Sequence, residues 1–414
     1  MRDISIATLI DSSGYPERKI DLTRRAGRMQ GTAVILASVT AIGLAAVLSA
    51  LIIRISRRHW RALVRQGDLA AVQAAHSSPT PRLGGLAILA GLLAGSALAF
   101  PGENVLWLLL LGAVAPLFLS GAAEDLGFRV APIGRLGAAL LSSALAVLLT
   151  GAWIEETGVG GLDLLFAWAP VAVLITIVAS STISHAFNLI DGLNGLAGAT
   201  GVLASAGIGL TALAVGDTEI ATFALLLAAA TGGFLILNYP SGRIFLGDAG
   251  AYSLGFLLAW MGIVLSARSP EVTPVAMVLI LFWPLGDLAL AIYRRRRLHL
   301  PVSYPDRLHF HQLTMRGIEI CVLGRGRRAT ANPLATLVLL PLIALPVAIG
   351  VLVHAEPALA ALALLGAFAV FFAIYAIGIW VSTRRTGAMQ ARQNSARRGA
   401  ARSAHTRSPA AGGA

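Results

Sequence analysis

The sequence predicts an all-α fold, a polytopic bundle of about 10–11 membrane-spanning helices, and three observations carry that prediction. Only 13% of the 414 residues are charged, where a soluble domain has about 25%, and 57% are hydrophobic. Apolar runs near the ~20 residues that cross a hydrocarbon core recur from residue 32 to residue 381. The basic residues between those runs collect in alternate connections.

Taken in order, residues 1–31 are a polar tail in which six basic side chains accompany four acidic ones. They lack the basic, apolar, small-residue order of a cleaved leader and read as a tail or an interfacial helix. Residues 32–381 form the membrane domain, with spans expected at 32–53, 83–100, 104–122, 133–150, 169–190, 195–215, 219–238, 249–267, 272–293, 333–353 and 358–381. Residues 382–414 are an Arg-rich tail expected to be disordered and able to touch anionic lipid.

Arginine supplies 31 of the 32 basic residues; Lys19 is the lone lysine. The connections 54–82, 123–132, 191–194, 239–248 and 294–332, the C-terminal tail and Arg135 together hold 25 arginines. The opposite connections hold only Arg268, among Glu103, Glu155, Glu156, Asp163, Asp217 and Glu356. The first set is therefore expected in the cytoplasm. An odd number of spans then puts the N-terminus outside, against its basic residues; an interfacial first segment removes that conflict. Basic residues strung between spans are a topology signal, whereas nucleic-acid binding needs a basic face on a folded domain. The single cysteine, Cys321, excludes an intrachain disulfide.

Five polar clusters lie on the arginine-rich side. The run His76 to Gly85 ends with Arg82 and a Gly-Gly pair opening a span, where free helix amides would favour an anion, or Arg82 would reach to lipid phosphate. Glu124-Asp125 is an acidic pair in an otherwise basic loop, suited to hold Mg²⁺, to act as a base, or to cap a helix beside Arg129. Asn188 and Asp191 close an apolar run among glycines; a continuing helix would put them on one face with Ser184 and His185, and a short capped loop is the alternative. Asn238 to Gly250 places Asp248 between glycines, three residues after Phe245, an exposed aromatic beside a hard-cation ligand. The fifth cluster, Tyr304 to Gln312, sets His309 and His311 beside Asp306 and Arg307, a pattern for phosphate or metal. Asp287, inside the ninth span, is expected to pair with one of the arginines that follow it. Carboxylates, cations and a bilayer alongside suit an enzyme that joins a soluble phosphorylated substrate to a lipid phosphate.

In order, PTPRLGG (79–85), the acidic pair, NLIDGLNGLAGATG (188–201), NYPSGRIFLGDAGAYSLG (238–255), PLGD (284–287) and DRLHFHQ (306–312) resemble the polyprenyl-phosphate N-acetylhexosamine-1-phosphate transferases, over residues 76 to about 316. That resemblance implies a Mg²⁺-dependent helical enzyme (with Mn²⁺ as an admissible substitute) of the bacterial plasma membrane, its site cytoplasmic. Such an enzyme moves a sugar 1-phosphate from a UDP-sugar to undecaprenyl phosphate and releases UMP. It implies Asp248 as chief metal ligand with Asp191, Phe245 near the uracil, and Asn188 and Asp191 at the nucleotide. His309, His311 and Arg307 would hold the diphosphate, Arg82 and Asn238 would complete the substrate contacts, and Glu124 and Asp125 would deprotonate or position the lipid phosphate. The partners are then a UDP-N-acetylhexosamine, undecaprenyl phosphate and membrane lipid, with a homodimer compatible and nucleic acid excluded. The chain departs from the usual pattern in Glu124, where the family has Asp, and in Gln312, where it has a third histidine.

The Asp-Arg-x-His-x-His form resembles the branch using UDP-GlcNAc or related sugars to initiate O-antigen or exopolysaccharide, rather than the UDP-MurNAc-pentapeptide branch of peptidoglycan synthesis. A catalytically silent homologue and a transporter are the rival readings. A transporter would put its ionisable residues near the midplane of paired repeats, not in the loops on one side.

Overall fold

The computed structural model describes residues 16–59, 80–100, 102, 105–299 and 308–380. The readings of residues 1–15, of His76 to Pro79, of Asp306 and Arg307, and of the tail from 382 lie outside them. Among the described residues every regular element is helical. In chain order these are α1 (Pro16–His59), α2 (Gly84–Ala99), α3 (Leu106–Ala113), α4 (Ala115–Asp125), α5 (Pro132–Thr150), α6 (Gly160–Phe166), α7 (Ala169–Ile190) and α8 (Leu196–Ala214). There follow α9 (Thr218–Asn238), α10 (Gly247–Arg268), α11 (Pro274–Ile280), α12 (Phe282–Arg297), α13 (Phe310–Ile318), α14 (Arg328–Leu352) and α15 (Pro357–Trp380).

Among the described residues eight helices are long and apolar enough to cross a membrane, ten spans in all if the pairs α3–α4 and α11–α12 each count as one. With the shorter α2 they stand where the eleven expected spans stand, so the all-α bundle is as the sequence predicts. Two expectations change. Spans 104–122 and 272–293 are each broken, by 44° at Val114 and by 80° at Leu281. Proline explains both breaks: Pro116 and Pro284 lie in the first turns of α4 and α12, and neither can donate back to the preceding turn. In an apolar core the amides freed by a break need partners. Leu117 N–H finds one by donating to Ser142 Oγ of α5 at 3.0 Å.

The bundle is built around α10. Of its membrane-crossing window 94% is buried, against 6% for α15, which lies at the rim. α10 packs against α2, α4, α7 and α8. Glycine makes the first two of these contacts close enough: a Cβ on Gly85 of α2 would stand 2.3 Å from Gly250 Cα, and one on Gly121 of α4 would stand 2.5 Å from Ala249 N. Trp260, Phe256, Phe187, Phe223 and Phe234 are fully buried around this axis.

The ends of the bundle differ in chemistry. At the acidic end Asp217 caps α9 by accepting from Ile220 N–H at 2.9 Å, and Arg268 donates to Glu219 at 2.8 Å. The only arginine predicted on that side is thus neutralised by two neighbouring acids, Glu219 and Asp217. Thr273, the N-cap of α11, donates its hydroxyl to the Thr157 carbonyl at 2.7 Å and so fastens the 151–159 connection to the bundle. At the other end the termini of α2, α4, α5, α7, α8, α9, α10 and α12 bring the polar clusters together.

Candidate active site

The site is assembled on the first turn of α10. Gly247 has φ +77°, a left-handed conformation that favours glycine, and a Cβ there would collide with the Arg82 carbonyl oxygen. The turn exposes the amides of Asp248 and Ala249, which donate to Asp125 Oδ1 and Oδ2, both at 2.9 Å. Asp125 reaches them from the end of α4, and its side chain has no exposed surface. A carboxylate taking two helix N-terminal amides is a strong cap, because charge and dipole act together.

Beside this turn the chain before α2 runs along residues 245–246. Phe245 N–H donates to the Pro81 carbonyl, and the amides of Gly84 and Gly85 donate to the carbonyls of Phe245 and Leu246, each at 2.9 Å. This corrects the expectation that the opening amides of α2 are free for an anion: backbone carbonyls already take Gly84 and Gly85. The same pairing carries Arg82 over the site. Arg82 Nη2 donates to Asp248 Oδ1 at 3.2 Å, and its Nε lies 3.5 Å from Asp125 Oδ1.

Asp248 is thereby a hub. Its Oδ1 also accepts from Asn188 Nδ2 at 3.1 Å, and its Oδ2 lies 3.5 Å from Arg135 Nη1. Asn188 comes from the last turn of α7, one turn after His185, whose ring meets Tyr252 of α10 edge to face at 5.0 Å. Ser184 turns the other way: it donates to the Ser180 carbonyl and packs at Gly255. Asp191 does not continue the helix as one reading had it. It is the C-cap of α7, with φ −77° and ψ 59°, because the chain turns there into Gly192. Burial pushes the Asp191 carboxyl up to about 7; the charge on Asp248 adds to that rise, while Arg82 and the Gly247 amide oppose it.

The histidines form the far wall. His311 Nδ1 lies 2.9 Å from Asp287 Oδ2, and the other oxygen of Asp287 accepts from Phe310 N–H at 3.0 Å. His309 Nδ1 is 3.4 Å from the same oxygen, and the two imidazoles stack at 5.6 Å. The expected partner of Asp287, a following arginine, is thus replaced by histidines 22 to 24 residues on, because the 80° break turns α12 toward the start of α13. A Cβ on Gly192 would stand 2.6 Å from His311 Nε2, so this ring lies against the turn that carries Asp191.

The remaining candidates hold the frame. Asn238 is buried; its Oδ1 accepts from Gly195 N–H and its Nδ2 donates to the Ile244 carbonyl, both at 2.7 Å. Those bonds spend its side chain on the loops beside Asp191 and Asp248. Phe245 is half-buried rather than exposed. Glu124 accepts from Val130 N–H at 2.9 Å and closes the loop before α5. Arg307 lies outside the described residues. Reading by residue type passes over Arg135, an ordinary positive-inside arginine in sequence, and gives Asp287 the wrong partner; in both cases only packing supplies the signal.

Among the described residues no three His, Cys, Asp or Glu side chains cluster as a self-sufficient metal site. Asp191 and Asp248 do fit Mg²⁺ in its other mode, in which one or two carboxylates share the ion with substrate phosphates and water. They lie close enough for the charge on one to raise the other.

Comparison with known proteins places these residues within a family match. The profile of the family described as Glycosyl transferase family 4 matches residues 107–266, which carry Glu124, Asp125, Asn188, Asp191 and Asp248. A relative from Bacillus subtilis (strain 168), "Probable undecaprenyl-phosphate N-acetylglucosaminyl 1-phosphate transferase", is 31% identical over 245 residues, 58% of this chain and 67% of that protein. The "Decaprenyl-phosphate N-acetylglucosaminephosphotransferase" of Mycobacterium tuberculosis (strain CDC 1551 / Oshkosh) is 27% identical over 57% of this chain and 65% of its own length. The "Undecaprenyl-phosphate alpha-N-acetylglucosaminyl 1-phosphate transferase" of Salmonella typhi is 29% identical over 58% and 66%. The chain thus spans about two thirds of the length of these relatives.

Proposed function

The chain belongs to glycosyl transferase family 4, and from that premise we propose that it transfers an N-acetylhexosamine 1-phosphate from a UDP-sugar to a polyprenyl phosphate and releases UMP. The observation that carries this reading is the convergence on Asp248. Two arginines, an asparagine amide and a capping aspartate from four separate parts of the chain meet at the end of a buried helix. Cations flanking a carboxylate at the end of apolar spans suit phosphates delivered from two phases, one dissolved and one anchored in lipid.

An oxygen of the lipid phosphate forms a bond to the β-phosphorus of the UDP-sugar. The bond from that phosphorus to the bridging oxygen breaks, and UMP leaves with the electron pair. Arg82 and Arg135 lie where they would neutralise phosphate oxygens, and guanidinium suits that task because its N–H fork matches them. Asp125 holds Asp248 in place through the first turn of α10. Asp248 and Asp191 would hold Mg²⁺, which supplies charge neutralisation at the diphosphate when bound. A site walled by apolar helices strengthens each of these charge contacts.

The arginine asymmetry supports a cytoplasmic site, and the names of the relatives make UDP-GlcNAc the first sugar to try, in the initiation of an envelope polysaccharide. The test is UMP release and lipid-linked product from purified protein given undecaprenyl phosphate, Mg²⁺ and a panel of UDP-sugars. Product with one sugar, lost on chelation and in Asp248→Ala, is the expected result. A folded protein that binds UDP and forms product with none of the sugars would overturn the reading in favour of a silent homologue.

A further inference from the structure

We infer that Asp287 is a positioning residue, a buried carboxylate that sets the His309–Phe310–His311 turn so that His311 presents Nε2 to substrate phosphate beside Asp191. The ligand named here rests on the transferase reading; the geometry does not.

Asp287 has no exposed surface and lies between one and two turns past the 80° break, on the side of α12 that meets α13. Its two oxygens do different work. Oδ1 takes the Phe310 amide, the first N–H of α13, and so caps that helix from a distance. A cap needs only this oxygen. Oδ2 is spent on His311 Nδ1 at 2.9 Å, and that contact is superfluous for a cap. An imidazole whose Nδ1–H is donated to a carboxylate has one tautomer and one ring orientation, with Nε2 left as the working atom. His311 Nε2 is buried, has no hydrogen-bond partner among the described residues, and lies against Gly192, next to Asp191.

The side chain between the two histidines secures the same arrangement from behind. Phe310 packs on Trp283 at 5.3 Å and on Phe371 at 4.8 Å, so α12 and α15 clamp the turn while Asp287 holds its backbone and rings. The imidazoles therefore face away from the aromatic cluster. An Asp alone in an apolar span is costly, and capping one short helix is a weak reason to keep it. Fixing the reactive orientation of a histidine is a better one.

Asp287→Asn separates the two roles. The Asn oxygen still accepts from Phe310 N–H, so the cap survives, but its amide would donate to His311 Nδ1 and move the ring proton to Nε2. Purified Asp287→Asn is expected to melt within a few degrees of the parent and to lose about 10²-fold or more in kcat/KM for the UDP-sugar. The accompanying readout is histidine ¹⁵N NMR in detergent, with His311 assigned by comparison with His311→Gln. The neutral ring should carry its proton on Nδ1 in the parent and on Nε2 in Asp287→Asn. Parental kinetics in the variant, or a ring protonated on Nε2 in the parent, would overturn the inference. If the parent makes no UMP at all, the transferase reading fails, and the tautomer switch still decides whether Asp287 sets the ring. If the variant does not fold, the parent spectrum alone decides it.

Discussion

At the scale of single residues, the site depends on where carboxylates spend their oxygens. Asp125 takes two amides of α10, and removing it leaves both buried donors without an acceptor. Asp125→Ala is expected to cost about 2–4 kcal/mol in unfolding, and Asp125→Asn, which keeps one acceptor, about half of that, as measured by denaturation in detergent. For Asp191 the titration decides the effect. Its carboxyl is held at about 7 in the fold, above its value in the unfolded chain, so the folded protein binds the extra proton. Stability from this group is greatest at pH values below the ordinary carboxylate range and is lost as pH rises through about 7. Asp191→Asn should therefore melt higher than the parent at pH 8, with the gap smaller at pH 5 and closing only near the ordinary carboxylate value of 3.8. A constant gap at both pH values would contradict that origin. The positions of Asp191 and Asp248 are legible in sequence because ionisable residues among glycines at the ends of apolar runs are rare. What Asp125 does is not legible. It reads as half of an acidic pair free for chemistry, and only packing reveals that its partners are amides 123 and 124 residues away.

At the scale of elements, apolar periodicity and length locate every span, since each must be long enough to cross. The breaks at Val114 and Leu281 are harder to read, because a proline in an early helical turn is compatible with a new helix or a kinked one. Once Leu281 is broken, α12 tilts, and the partner of Asp287 changes from arginine to histidine. Helix contacts can be tested with paired glycines. Gly85→Ala puts a methyl into the backbone of α10, where nothing flexible can yield, and should cost about 1–3 kcal/mol and most of the activity. Gly137→Ala, on α5 with no atom within 4 Å of the new methyl, should be neutral or raise stability by up to about 1 kcal/mol. Thermal unfolding of the two variants side by side checks both. Equal melting temperatures would mean that α2 and α10 do not approach as described.

At the scale of the whole molecule, the native cysteine offers a direct test of orientation. Cys321 is the only thiol in the chain and is exposed, in the segment that follows α13 at the site end of the bundle. A membrane-impermeant maleimide is expected to label it in inverted vesicles and not in intact cells; labelling of intact cells would reverse the proposed sidedness. The asymmetry behind that expectation is legible in the arginines alone, and the exception is resolved by the fold, where Arg268 sits against Asp217 and Glu219. The shortness of α2 carries a consequence for the lipid around it. Sixteen residues rise only about 24 Å, against a hydrocarbon thickness of about 30 Å. Leu86, Leu93 and Leu98 on this helix face outward, so its mismatch is felt by the surrounding lipid. A short apolar helix draws the bilayer in locally, and here the thinning falls beside the segment that carries Arg82. Headgroups at that spot are expected to lie deeper than elsewhere on the same leaflet, so that the lipid-anchored phosphate proposed as acceptor would meet the site without being lifted out of the membrane plane. Acyl-chain length in reconstituted vesicles then becomes a control on turnover, with thicker bilayers slower.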